Sequence, residues 1–174
     1  MELAPGVHRV ETVTDDKLHG YHVLDGPTGP IVVDPGYQSA PEEVYEPFLE
    51  SRGQSLSDID TTIITHADAD HHGGLAALRQ HSPGVTALAH TADVPLIESK
   101  ERIMRDRYGR YEDDGIVYDD DLKEWLRSVM GPDETVDVAL RGGETIAVED
   151  RRLRVLHTPG HTRGHLMLYY PAYD

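Results

Sequence analysis

The stretch His66-Ala67-Asp68-Ala69-Asp70-His71-His72-Gly73-Gly74 decides how this chain is read. Five potential metal ligands fall within seven of its positions. An apolar, β-branched run, Thr61 to Thr65, comes directly before it, and a helix carrying Leu75 and Leu78 comes after. Where a strand end feeds a helix start, several side chains can converge on one point. Imidazole and carboxylate are what Zn²⁺ or Fe²⁺ takes from such a point. The stretch points to metal-dependent chemistry, with hydrolysis the first expectation.

Taken singly, these residues have ordinary readings. A lone Asp before a helix is an N-cap, because its carboxylate accepts from orphan N–H groups. A lone His is a solvated or satisfied side chain. The grouping changes this. Two carboxylates and two imidazoles held together without a cation repel or go unsatisfied, whereas a divalent ion gives each a role. The Gly pair lets backbone pass close by.

Composition sets the bounds. The chain has 174 residues, which suits one domain with a real core. No apolar run reaches the roughly 18 residues of a membrane helix, and the start lacks a basic-then-apolar leader pattern. A cytoplasmic protein without membrane contact is expected. There is no Cys, so a metal site must use nitrogen and oxygen. The formal charge is −16, from 32 acidic and 16 basic residues. Three of the basic residues are Lys and thirteen are Arg. An acid-rich, Lys-poor chain suits a concentrated-salt cytoplasm, where salt screens self-repulsion, so a halophilic protein is expected. An acidic protein from ordinary salt is the alternative. Either way no nucleic-acid partner is expected, since that needs a basic footprint.

Strands are expected at 6–13, 20–25, 31–34, 61–65, 85–89, 144–148, 153–157 and 165–170. Ser39-Ala40-Pro41-Glu42 fits a capping box, followed by a helix with Val44, Tyr45, Phe48 and Leu49 on one face and Gly53 at its end. Helices are expected around Leu96 to Met104 and around Leu122 to Val129, with an acidic stretch from Glu112 to Asp121 between them. This helical segment, 94–130, is either placed to cover one side of the site or is a pair of ordinary packing helices. Arg141-Gly142-Gly143-Glu144 reads as a turn. Strands interleaved with helices give an α/β (α+β) layered domain over 1–174.

The cluster resembles the metal-binding signature of the metallo-β-lactamase superfamily, His-x-His-x-Asp-His. Ile31-Val32-Val33-Asp34-Pro35-Gly36 resembles that family's early strand-Asp-Thr-Gly element. Thr158-Pro159-Gly160-His161-Thr162 resembles its second ligand loop. The resemblance covers essentially the whole chain and implies the four-layer αβ/βα sandwich. It places His66, Asp68 and His161 on a first metal and Asp70 and His71 on a second. The metal is expected to be zinc, one or two ions, with iron or manganese as alternatives. In the family a metal-held hydroxide attacks a carbonyl, phosphoryl or sulfuryl centre, and Asp70 is the residue expected to orient it and move protons. Asp34 is expected to brace loops under the site.

The chain departs from the family pattern twice. Asp68 stands where the family usually has its second His, which hardens the site toward iron or manganese. The family's bridging Asp and last His have no counterpart, since Asp174 comes too soon. The expectation is a sandwich incomplete at its C-terminal side, with one well-held metal. Such a domain exposes a sheet edge that a homodimer mate could cover.

Of the other histidines, His72 is expected near the ligands or in solvent, His157 and His165 on strand faces, and His90 in a loop. Arg163 is a candidate contact for a substrate anion. The resemblance implies a hydrolase of a small ester, thioester or lactone, of the glyoxalase-II and lactonase kind. One alternative is a mononuclear iron enzyme like the persulfide dioxygenases. Another is an inactive or complementing metal-binding chain.

Overall fold

The computed structural model describes residues 1–14, 17–110, 115, 117–148 and 151–171. Its centre is Pro30–Val33 (β4), four residues buried on both faces, as a strand covered on two sides must be. On one side β4 pairs antiparallel with Lys17–Asp25 (β3), which pairs with Val7–Thr14 (β2), and β2 with Glu2–Ala4 (β1). On the other side it pairs parallel with Thr61–Ile64 (β5), then Thr86–His90 (β6), then Val138–Leu140 (β7). The result is a seven-stranded mixed sheet in sequence order.

Parallel neighbours need crossovers, and helices supply them. Between β4 and β5 run a π-helical turn, Pro41–Tyr45, the helix Glu46–Glu50 (α1) and a 3₁₀ turn, Leu56–Asp58. Between β5 and β6 run Ala69–His72 (α2) and Leu75–His81 (α3). The long crossover from β6 to β7 holds Val94–Ile97 (α4), Lys100–Ile103 (α5), a π-helical turn, Met104–Tyr108, and Asp120–Val129 (α6). Thr145–Val148 (β8), Arg151–His157 (β9) and Leu166–Tyr169 (β10) form a second, antiparallel sheet in the order β10-β9-β8.

Alternation within the strands sorts the core. Tyr21, Val23, Val32 and Ile64 face the helices, packing with Val44, Tyr45, Leu49, Leu75, Ile97, Ile103 and Leu126. Leu24, Ile31, Val33 and Ile63 face the second sheet and meet Val148 and Leu153. Leu140, Val155 and Leu166 close the other end of that seam. The described residues thus form three layers, helices on sheet on sheet, of the expected α/β sandwich. None of their helices is long and apolar enough to cross a membrane.

Several local expectations change. Ser39 does not cap a helix. The chain already turns at Tyr37, whose carbonyl accepts from Ala40 N, and Ala40 is the N-cap, so Ser39 precedes the cap and its hydroxyl donates to Glu43 instead. A capping box does form at Ser55 and Asp58. His90 is not a loop residue. It ends β6, is buried, and stacks on His157 with ring centroids 3.9 Å apart. The expected acidic stretch from Glu112 to Asp121 falls partly on residues outside those described, as do Asp174 and the two residues before it.

The Gly73-Gly74 pair works by close approach. Gly74 N donates to Gly36 O at 2.7 Å, and a Cβ on Gly74 would lie 2.3 Å from the Pro35 carbonyl oxygen and 2.7 Å from that of Tyr37. The loop after β4 is thereby pressed against the loop after β5. Gly74→Ala is expected to cost about 3 kcal/mol. Gly84→Ala, with open space around it, is expected to cost less than about 0.5 kcal/mol. Urea unfolding with a shared slope checks both, and equal midpoints for the two variants would contradict the close-approach role.

Candidate metal centre

Open sheets with parallel strands gather their ligands at the carboxyl ends of those strands. Here β4 ends at Asp34, β5 at Thr65 and His66, and β6 leads through His90 to Asp93. The three neighbouring strand ends deliver these residues side by side. A fourth contribution, Thr158 to His165, comes from the β9–β10 connection of the second sheet.

Asp34 adopts the left-handed backbone conformation, with φ of 62°, a cost that Asp tolerates better than most residues. The twist aims its carboxylate across to the next strand. Oδ1 accepts from Thr65 N at 2.6 Å, and Oδ2 accepts from Thr65 Oγ1 at 2.8 Å and lies 2.8 Å from His71 Nδ1. Tyr45 hydroxyl donates to the Asp34 carbonyl. Burial alone would lower the His71 imidazole, but the Asp34 carboxylate outweighs it and pushes its pKa up to about 9. His66 Nδ1 lies 3.0 Å from Thr65 Oγ1, so Thr65 orients both rings and leaves each Nε2 facing outward.

Asp68 stands at the N-cap position of α2, but its side chain makes no cap hydrogen bond. Its Oδ2 lies 2.8 Å from His161 Nε2 and 3.5 Å from His66 Nε2. One ligand atom from each of His66, Asp68 and His161 lies within 4.8 Å of the others, with His66 buried and His161 exposed. The structure therefore brings these three together as a group. Asp70 and His71 sit beside it, with His71 Nε2 3.6 Å from Asp70 Oδ2 and the His66 and His71 rings 3.8 Å apart. Among the described residues, Asp70 and His71 do not join a cluster of three or more ligand atoms.

Three features were not found from the sequence. Arg107 grips Asp68 in a fork, Nε to Oδ1 at 2.8 Å and a terminal nitrogen to Oδ2 at 3.0 Å. Burial raises the Asp68 carboxyl, but hydrogen bonds from His66 and Arg107 override it and hold it well below the usual carboxylate range. Tyr108 hydroxyl, next in the chain, accepts from Ala69 N at 2.9 Å. Asp93 is 1% exposed, and its carboxylate takes Ala67 N at 3.1 Å, Thr162 Oγ1 at 2.6 Å and Gly164 N at 2.7 Å. It ties the signature loop to the second ligand loop. The run of arginines from Arg102 to Arg110 was a signal for Arg107 in a chain with so few basic residues. Asp93, before Val94-Pro95, reads as one more helix cap.

The remaining histidines are now placed. His165 lines the site, its ring 5.1 Å from that of His66, and its Nδ1 lies 2.9 Å from Thr158 Oγ1. His72 is buried, its Nε2 has no hydrogen-bond partner among the described residues, and burial pushes its pKa down to about 4. It is a neutral packing residue and not a solvated one.

Residues 21–174 match the family model of the metallo-beta-lactamase superfamily, and the chain belongs to that superfamily. It is 29% identical over 140 residues to a hydroxyacylglutathione hydrolase of Synechococcus sp. strain JA-3-3Ab, covering 80% of this chain and 38% of that one. A second hydroxyacylglutathione hydrolase, from Synechococcus sp. strain JA-2-3B'a(2-13), is 27% identical over 164 residues, covering 94% and 48%. Among solved structures, a metallo-beta-lactamase family protein from Thermus thermophilus superposes with a TM-score of 0.76 at 24% identity, covering 97% of this chain and 56% of that one. The chain thus spans half or less of the length of these curated relatives.

The Asp34–His71 pair generates a pH prediction. A raised folded-state pKa confers stability that is complete below the unfolded value, 6.5, and is lost as pH rises through about 9. In metal-free protein, NMR is expected to show His71 titrating near 9. Asp34→Asn is expected to bring it down by about one unit or more and to flatten the loss of stability above neutral pH. An unmoved His71 titration in Asp34→Asn would remove Asp34 as the cause.

Proposed function

We propose that this chain carries the metal-binding half of a hydrolase acting on a small ester, thioester or lactone. The observation that carries the reading is the convergence of His66, Asp68 and His161 within 4.8 Å. Two imidazoles and a carboxylate leave room for a fourth position, the donor set of a catalytic rather than a closed structural site. The fork from Arg107 does not exhaust Asp68, because each carboxylate oxygen has a second lone pair to offer. The residues therefore fit one divalent ion, with zinc the leading choice and iron or manganese the alternatives. Such an ion supplies Lewis acidity to a carbonyl and makes a bound water acidic near neutral pH.

The chain's own residues supply the rest. Asp70 is partly exposed beside the cluster and is the group we assign to hold the attacking water and accept its proton. His71, fixed by Asp34, lies beside Asp70 and is the first residue available to a second ion. Arg107 and Tyr108 fix Asp68 and the start of α2 from the 94–130 segment, which we assign as a wall of the substrate pocket. The names of the relatives favour a thioester among the possible substrates.

A single compact ligand triad also suits a one-iron dioxygenase. Oxygen uptake with a persulfide would select that reading, and hydrolysis without uptake would remove it.

Purified protein in high-salt buffer is expected to hold about one equivalent of metal by elemental mass spectrometry, and His161→Ala is expected to lose it. Asp70→Asn is expected to lower kcat on the thioester that wild type hydrolyses best by about 10²-fold or more with the metal retained. Folded wild-type protein without metal or activity would leave the reading of a chain that works only with a complementing partner.

A further inference from the structure

His161 forms part of the rim of a second feature. A solvent-open cleft of about 890 Å³ lies between the start of α4, the stretch Arg102–Arg110 and the loop Pro159–Arg163. Five arginines line it: Arg102, Arg105, Arg107, Arg110 and Arg163. The whole chain has only 16 basic residues against 32 acidic ones, so this concentration at one place runs against the composition.

Among the described residues, the lining holds these five arginines against two carboxylates, Asp93 and Asp106. Asp93 is turned inward, its oxygens taken by Ala67, Thr162 and Gly164. Asp106 pairs with Arg105 at 2.6 Å and approaches Arg102 at 3.8 Å. Arg107 is committed to Asp68. Clefts lined mainly by one sign of charge raise the local concentration of counter-ions.

We infer that the cleft is a subsite for a phosphate or diphosphate group carried by the substrate, away from the bond that is cleaved. The assignment rests on the hydrolase reading above and specifies its substrate class. The arginines stand on two walls, one helical and one from the second ligand loop. A group between them must accept from several directions. A carboxylate is planar and singly charged, whereas a phosphoryl group offers three oxygens out of plane and up to two charges. His161 belongs both to the cleft lining and to the ligand triad, so a ligand anchored by the arginines lies next to the triad.

Calorimetric titration with inorganic pyrophosphate tests this, with citrate as the carboxylate comparison. It uses the purified chain, then the same chain with EDTA, so that chelation of metal is separated from binding to the cleft. Wild type and Arg141→Gln, an exposed arginine elsewhere, are expected to bind pyrophosphate alike, with or without EDTA and more weakly as KCl is raised. Arg105→Gln/Arg163→Gln, one residue from each wall, is expected to bind at least roughly tenfold more weakly, and citrate to bind wild type at least roughly tenfold more weakly than pyrophosphate. Absence of binding, binding abolished by EDTA, equal affinity in the double variant, or citrate binding as tightly would each overturn the assignment. The readout is heat of binding, so failure to hydrolyse a thioester bears on the hydrolase reading alone.

Discussion

The buried carboxylate of Asp93 holds the site together. It is the point where the signature loop after β5 and the ligand loop of the second sheet are joined, through Ala67 on one side and Thr162 and Gly164 on the other. The three candidate ligands cannot themselves supply this join. His66 and Asp68 belong to one sheet and His161 to the other, and the contact between Asp68 and His161 is partly exposed. A buried carboxylate with its acceptor sites met by three donors is a far stiffer tie than an exposed pair. The tie also explains Gly164, where a Cβ would sit 2.6 Å from Asp93 Cγ. Leu166 N donating to Thr65 O adds a backbone link a few residues on.

A second constraint works on the other side of the signature. Asp34 accepts a strained backbone and in return fixes Thr65, which sets both His66 and His71. Three aspartates at three neighbouring parallel strand ends or loops, Asp34, Asp68 and Asp93, then have three different jobs. One orients imidazoles, one faces them as a ligand candidate, and one fastens loops. Arg107 offsets the charge at the middle one. The acidic residues are used differently here from those on the surface, since each carboxylate has named donors.

Much of this was legible in sequence because it depends on local pattern. IVVD before Pro-Gly gave the central strand, since only a doubly covered strand is apolar throughout. The run from His66 to His71 pointed to a metal by its residue types alone, whereas the grouping of His66 and Asp68 with His161 came from the resemblance to the family's signature and second ligand loop. What failed was the reading of residues whose role depends on a distant partner. Asp93 was not singled out at all, since it stands at the cap position of α4 while its carboxylate serves loops 26 and 71 residues away. Asp68 shows the same divergence between cap position and use. His90 looked like a loop residue because its stacking partner, His157, lies in the other sheet. The short edge strands β1 and β7 carry too few residues to show alternation.

The central claim is that Asp93, which is not itself in the ligand triad, sets the distance between the two halves of the site. The direct measurement is metal affinity, by competition with a chromophoric chelator, in Asp93→Asn shown to be folded by circular dichroism. The account predicts an affinity lowered about 10- to 100-fold with all three ligands intact, as expected when a supporting partner of metal ligands is lost. An affinity equal to wild type in the folded variant would contradict it, and would mean that the ligands find one another without the tie.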